Sequence, residues 1–135
     1  MNTDIAAQKA LDRLAKVGFD LLAEQERILA VVWTFESQVV NLGFARYFSS
    51  TAGNMASYSP IAFRSIGAPQ KAEIAANANK VFGAGGPPGD RKTRRELVHA
   101  FNDAAKSTLD TLERAYYDSP EDVDELLELY LNKIR

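Results

Sequence analysis

Apolar residues recur every three or four positions along most of this chain, the period of helices with one buried face. The first such segment starts at Thr3, a residue suited to capping a helix N-terminus, and runs to Gly18, a natural stop. Its apolar positions are Ile5, Leu11, Leu14 and Ala15. The second opens near Asp20 and continues through Leu22, Leu29, Val32, Trp33 and Val40. Within it, Ile28 to Phe35 (ILAVVWTF) is rich in β-branched and aromatic residues, so a small α+β domain with a strand here is the runner-up fold. Glu24, Glu26, Arg27 and Glu36 give the flanks helical periodicity, and no second strand is evident to pair with it. The pattern therefore favours helix.

Residues 39 to 56, VVNLGFARYFSSTAGNMA, strain that pattern. A glycine inside a helix costs about 1 kcal/mol relative to alanine, yet Gly43 sits between Leu42 and Phe44. Read as one helix, Phe44 falls four after Val40, three before Tyr47 and four before Phe48, so these residues share a face. Gly43 then lies beside that face as a packing notch where another helix approaches. Asn41 is placed to donate to nearby backbone, and Gly53 with Asn54 ends the segment in a turn.

Further on, Ser59 as cap and Pro60 in the first position open a short helix ending at Gly67. An alanine-rich helix runs from Pro69 to Gly83. The stretch GAGGPPGD, residues 83 to 90, argues against any regular element. A long helix is expected from Asp90, with Leu97, Val98, Phe101, Ala105, Leu109, Leu112 and Tyr116 on its apolar side. In the closing segment Ser119 reads as cap, Pro120 as first position, and Glu121 and Asp122 face the positive end of the helix dipole. Val123, Leu126, Leu127, Tyr130, Leu131 and Ile134 form its apolar face. The prediction is an all-α fold, a single compact domain of about five to seven helices.

Composition narrows the function classes. At 135 residues, 46% of them apolar and 25% charged, the chain can bury a sizeable core. With no cysteine it has no disulfide, thiol nucleophile or cysteine metal site, which fits a cytoplasmic protein. The N-terminus lacks the basic start and unbroken apolar core of a secretory signal. The longest apolar run is far short of the roughly 20 residues that cross a bilayer. No membrane association and a cytoplasmic location are therefore expected.

The net charge of −2 is unevenly spread. Residues 61 to 108 carry eight Lys or Arg against four acids, whereas residues 109 to 135 carry eight acids against Arg114, Lys133 and Arg135. This dipolar pattern suits a protein partner better than nucleic acid. The basic run Arg91, Lys92, Arg94 and Arg95 has no interleaved aromatics, and the pI is about 5.4. Its arginines are expected to pair with the acidic C-terminal helix, within the fold or across a dimer.

Candidate chemistry is thin. His99 has no metal-spaced partner, only Glu96 one turn before it, and reads as a surface or structural residue. The glycine loop at 83 to 90 has neither the lysine nor the preceding strand of a phosphate-binding loop. The hydroxyls of YFSSTAGNMASYS lack a nucleophile elbow. Asp118, Glu121, Asp122, Asp124, Glu125 and Glu128 crowd one helix start without the spacing of a calcium loop, because Pro120 and Val123 interrupt it. They are the candidate surface for a basic protein partner. No catalytic residue, metal ligand or cofactor is assigned, and an enzyme of unknown reaction is the remote alternative.

The chain also carries an ordered set of landmarks: Glu36, Asn41, Gly43, Phe44, Tyr47, Phe48, Gly53, then Ile66, Gly67 and Ala68, followed by the alanine-rich helix. In these it resembles a bacterial domain of unknown function typified by DNA-mimic proteins that bind a helix-turn-helix repressor. Related members act as immunity proteins in toxin gene clusters. Leu42, Arg46 and Ser50 depart from the pattern, standing where it has glycine, glutamine and asparagine. The resemblance spans residues 20 to 135, leaving residues 1–18 as an added N-terminal helix. It implies an all-α fold, often dimeric, with a protein partner (a regulator, or a toxin in the immunity alternative) and no cofactor. The landmarks themselves read as structural. Mimicry of DNA requires a strongly acidic surface, and here only Asp118 to Glu128 could supply one.

Overall fold

The computed structural model describes residues 2–134, with side chains from Thr3 onward; Arg135, counted above in the C-terminal charge, lies outside the described residues. Eight α-helices are present among the described residues: α1 (Asn2–Val17), α2 (Glu24–Leu42), α3 (Phe44–Ser49), α4 (Ser59–Ser65), α5 (Pro69–Lys80), α6 (Arg91–His99), α7 (Asp103–Asp118) and α8 (Val123–Ile134). Short 3-10 segments occupy Phe19–Leu21 and Thr51–Tyr58. Ile28 to Phe35 is helical within α2 and no strand occurs among the described residues, which removes the α+β alternative.

The count exceeds the expected five to seven because two expected helices are broken. At the first break Gly43 is not in a helix interior. It ends α2 and precedes α3 with φ +86° and ψ 170°, a conformation close to glycine-only. A Cβ there would lie 2.7 Å from Glu113 Oε1. The glycine is thus a joint that admits a carboxylate, not a notch for a neighbouring helix. At the second break Asn102 stops the helix expected from Asp90. Its side chain accepts from the Ala105 N–H at 2.8 Å and starts α7 afresh.

Several expected caps are reassigned. Thr3 lies inside the first turn of α1, not ahead of it. Ser59 is buried and donates to the Ala56 carbonyl at 2.7 Å, because the 3-10 segment runs straight into α4. Ser119 closes α7 and does not cap α8; Asp122 does that, accepting from the Glu125 N–H at 3.1 Å.

Two helices are capped from a distance. Gly43 and Ala68, which precede α3 and α5, have no side-chain acceptor of their own. Glu113 of α7 accepts from the Phe44 N–H at 2.7 Å. Glu121 accepts from the N–H groups of Gln70 and Lys71 at 2.9 and 2.7 Å. Each carboxylate satisfies orphan donors and sits at a positive helix end.

The core is centred on α2, whose Ile28, Leu29, Ala30, Val31, Val32, Phe35 and Val39 are buried. Phe35 meets the rings of Phe44, Tyr47, Phe63 and Tyr116 at centroid distances of 5.0 to 5.7 Å. The expected shared face of Phe44, Tyr47 and Phe48 is fully buried, although Gly43 separates it from Val40. α1 packs through Ala7 and Ala10, while Ile5 stays exposed. Leu97 and Ile134, expected on buried faces, are also exposed.

Leu97 is displaced because α6 turns Arg94 inward. Arg94 has no exposed surface and donates to the carbonyls of Phe48, Ser50, Pro88 and Gly89 and to Asn54 Oδ1. Burial pulls its pKa below the usual arginine value. A Cβ on Gly53 would lie 2.7 Å from the Arg94 Nε, so this glycine clears a path for the guanidinium. Within one chain, the expected pairing of the basic run with the C-terminal acids is not found among the described residues. Arg94 is satisfied by main chain, Arg91 donates to the Ser49 carbonyl at 3.1 Å, and no ion pair links this run to those acids among the described residues.

Two stability effects follow. Gly43→Ala is expected to cost about 1–3 kcal/mol, read by urea unfolding, and the loss should persist in a Glu113→Ala background because φ alone strains it. Arg94→Met leaves buried carbonyls unpaired and should cost about 3–5 kcal/mol, a drop in Tm of roughly 10 °C or more. An unchanged thermal melt would show that the carbonyl cage contributes nothing.

Candidate functional site

The six C-terminal acids do not form one uniform surface. Glu121 is half-buried against the start of α5, and Asp122 caps α8. Asp118, Asp124, Glu125 and Glu128 are exposed. On α8, Asp124 and Glu128 are four apart and share a face.

Asp124 also reaches a cleft of about 270 Å³ between α2 and the first turns of α8. Trp33, Val40, Val123 and Leu127 give it apolar walls, and Glu36 and Asp124 are its acids. Two of the landmarks named from sequence, Glu36 and Asn41, therefore line the same cleft as one of the predicted partner-binding acids. The others are structural: Phe44, Tyr47 and Phe48 in the core, Gly43 and Gly53 at close approaches, and Gly67 ending α4 with φ +86°. Ile66 and Ala68 are buried beside it.

Glu36 is positioned by α7. The Tyr116 hydroxyl, on a buried side chain, donates to Glu36 Oε2. The Lys71 Nζ stands 4.1 Å from the centre of the same ring, a cation–π contact within the core. Burial first, and then the Glu36 carboxylate, push the Tyr116 pKa far above the usual tyrosine value. Tyr116 thus stays a proton donor and fixes one oxygen of Glu36, while Oε1 has no partner among the described residues. At the rim, the Tyr117 hydroxyl donates to the Val40 carbonyl, and Asn41 Nδ2 donates to Ser37 O at 2.8 Å. The first of these bonds ties the last turns of α2 to α7, and the second lies within α2.

An apolar slot lined by an indole and two carboxylates has a defined chemistry. It can take the aliphatic stem of a lysine or arginine and neutralise its head. Among the described residues no three His, Asp or Glu side chains gather closely enough to hold a metal ion. His99 is exposed at the end of α6, in a different groove. No described helix is long and apolar enough to cross a membrane.

Sequence reasoning placed Trp33 and Tyr116 only on apolar helix faces and did not bring Glu36 and Asp124 to one cleft. A charged residue one position after the buried Phe35, on a helix apolar nearly all round, was the signal for Glu36. No local signal pairs it with a tyrosine 80 residues away.

An all-α protein whose second and last helices frame an acid-rimmed apolar cleft is the class defined by this architecture. More narrowly, residues 20–134 match the family model described as DMP19-like protein, and the chain belongs to that family. The match begins after α1, close to the start of the landmark-bearing region expected from sequence. No curated protein and no solved structure matches the chain.

The buried phenols set an alkaline limit on stability. Burial raises the pKa of both Tyr47 and Tyr116 above the ordinary 10.0, so the folded state keeps protons that the unfolded chain releases. Stability should be intact below about pH 10 and fall as pH rises beyond it, by about 1.4 kcal/mol per pH unit for each tyrosine. Urea unfolding from pH 9 to 11 (roughly one unit either side of the tyrosine pKa) should show a shallower decline for Tyr116→Phe than for the unmodified chain.

Proposed function

We propose that this chain is a non-catalytic, cytoplasmic protein-binding module that takes a basic segment of a protein partner, a transcriptional regulator or a toxin, on the acidic face of α8. The observation that carries this reading is the cleft itself: Trp33 and aliphatic walls together with Glu36 and Asp124 suit a lysine or arginine side chain. The exposed Asp118, Glu125 and Glu128 extend the negative field around it. Membership of the DMP19-like family supports the same class of activity. With Glu121 and Asp122 engaged as caps, four exposed acids of the six are left over for a partner, too few to reproduce a row of phosphates. Capture of individual basic side chains is therefore the mode, not replacement of DNA. A repressor gene beside this one would favour the regulator as partner, and a secreted-toxin gene would favour the toxin.

The test reverses the free acids and spares the capping ones. Proteins that co-purify from native cells, identified by mass spectrometry, should be lost from an Asp118→Lys, Asp124→Lys, Glu125→Lys, Glu128→Lys variant whose thermal melt is unchanged. Glu36→Gln, which keeps a Tyr116 acceptor, should weaken capture by about tenfold. Undiminished capture at physiological salt by both variants overturns the acidic-face reading.

A further inference from the structure

On a separate part of the surface a groove of about 600 Å³ runs between the end of α2, α3 and α6, with Lys106 from the first turn of α7 also lining it. Its floor is aliphatic: Leu42, which is 48% exposed, with Ala45 and Val98. Its rim is cationic, with Arg46 on α3 and Arg91 and Arg95 on α6, and no aspartate or glutamate lines it. In a chain of net charge −2 this is an uncompensated local excess of positive charge.

The groove is also held in shape. Arg91 is pinned across it by its bond to the Ser49 carbonyl. One turn along α6 the buried Arg94 ties the helix to the end of α3. Arg91, Arg95 and Val98 follow at helical spacing, so α6 presents charge and apolar surface along one side. Arg46, Arg95 and Lys106 have no hydrogen-bond or ion-pair partner among the described residues.

We infer that this groove docks an acidic amphipathic segment of a second protein partner. An aliphatic floor rewards apolar side chains at helical spacing, and a cationic rim rewards carboxylates on the flanks of the same segment. Nucleic acid fits less well, because no Phe, Tyr or Trp lines the groove, His99 being its one ring, and the aliphatic floor would stay unfilled. A small anion fits less well too, since it would leave the aliphatic floor of Leu42, Ala45 and Val98 unfilled. The segment taken here is the electrostatic converse of the one taken at the Glu36 cleft, so the two sites do not compete for one ligand.

The test is fluorescence anisotropy with a labelled helical peptide of about 16 residues, leucine at i, i+3, i+4 and i+7 and glutamate on its flanks. Saturable binding is expected, weakened at least about tenfold by Arg46→Glu with Arg95→Glu, and separately weakened by Lys106→Glu. These side chains are exposed and unbonded, so the thermal melts should match that of the unmodified chain. A peptide with serine for leucine should bind weakly and one with lysine for glutamate not at all. No binding, equal binding of the serine peptide, single-stranded DNA binding as tightly, or indifference to the charge reversals each overturns the proposal. So does self-association in sedimentation that the same reversals abolish, since the groove would then be filled by a second copy. The four-acid variant described above should still bind the acidic peptide, which keeps failure here distinct from failure of the acidic-face reading.

Discussion

A single buried guanidinium organises the half of the molecule that the apolar pattern alone leaves undetermined. Arg94 gathers the carbonyls of Phe48 and Ser50 from the end of α3, those of Pro88 and Gly89 from the glycine-rich loop, and the side chain of Asn54. Burying an unpaired cation costs several kcal/mol, and here the compensation comes from main-chain acceptors, with no carboxylate involved. These include carbonyls at the end of a helix, where the dipole favours positive charge. The loop of residues 83 to 90 forms no helix or strand, yet it is held in place because two of its carbonyls belong to this cage. α6 in turn takes its orientation from Arg94, which leaves Leu97 outside and sets Arg91 and Arg95 along a groove.

The C-terminal acids divide in a comparable way. Glu113 and Glu121 serve helix starts that have no acceptor of their own, and they tie α7 and the segment after it to α3 and α5. Asp122 serves α8 itself. The acids left over face solvent or the Glu36 cleft. Sequence charge counts overstate the acidic surface for this reason, just as they overstate the basic one by counting Arg94. Once these structural charges are set aside, an acid-rimmed cleft and a base-rimmed groove remain.

Helix periodicity was legible wherever an apolar face met a long segment, as in α2, α5 and α8. The burial of Phe44, Tyr47 and Phe48 was legible too. Helix ends were less so, because their partners are remote. Ser59 and Ser119 have the right residue type for caps yet do not cap α4 and α8, while at α3 and α5 the acceptors come from residues about 70 and 50 positions on. The break at Asn102 is local, yet the apolar period continues across it from Val98 through Phe101 to Ala105, and this hides it. The cleft was half legible: Glu36 and Asp124 were both singled out, one as a landmark and one as a binding acid. Their meeting depends on α2 and α8 lining one cleft, and no spacing within the chain encodes that.

The landmark glycines show the same logic from the other side. Gly43 and Gly53 each lie where a charged side chain from a later helix reaches the backbone, Glu113 at one and Arg94 at the other, and a Cβ at either would stand 2.7 Å from it. The glutamate completes the N-terminus of α3 and the arginine completes its C-terminus, so both ends of a six-residue helix are satisfied by distant residues of opposite charge. A helix of that length has little stability of its own. It persists because its aromatic face is buried against Phe35 and both of its ends are closed electrostatically. This short helix also carries Ala45 and Arg46 into the basic groove, and the joint before it lies close to Val40 and Asn41 of the acidic cleft. The glycines are thus the condition for placing both candidate surfaces, and that is the physical content of a signature that looks, in sequence, like an interrupted helix.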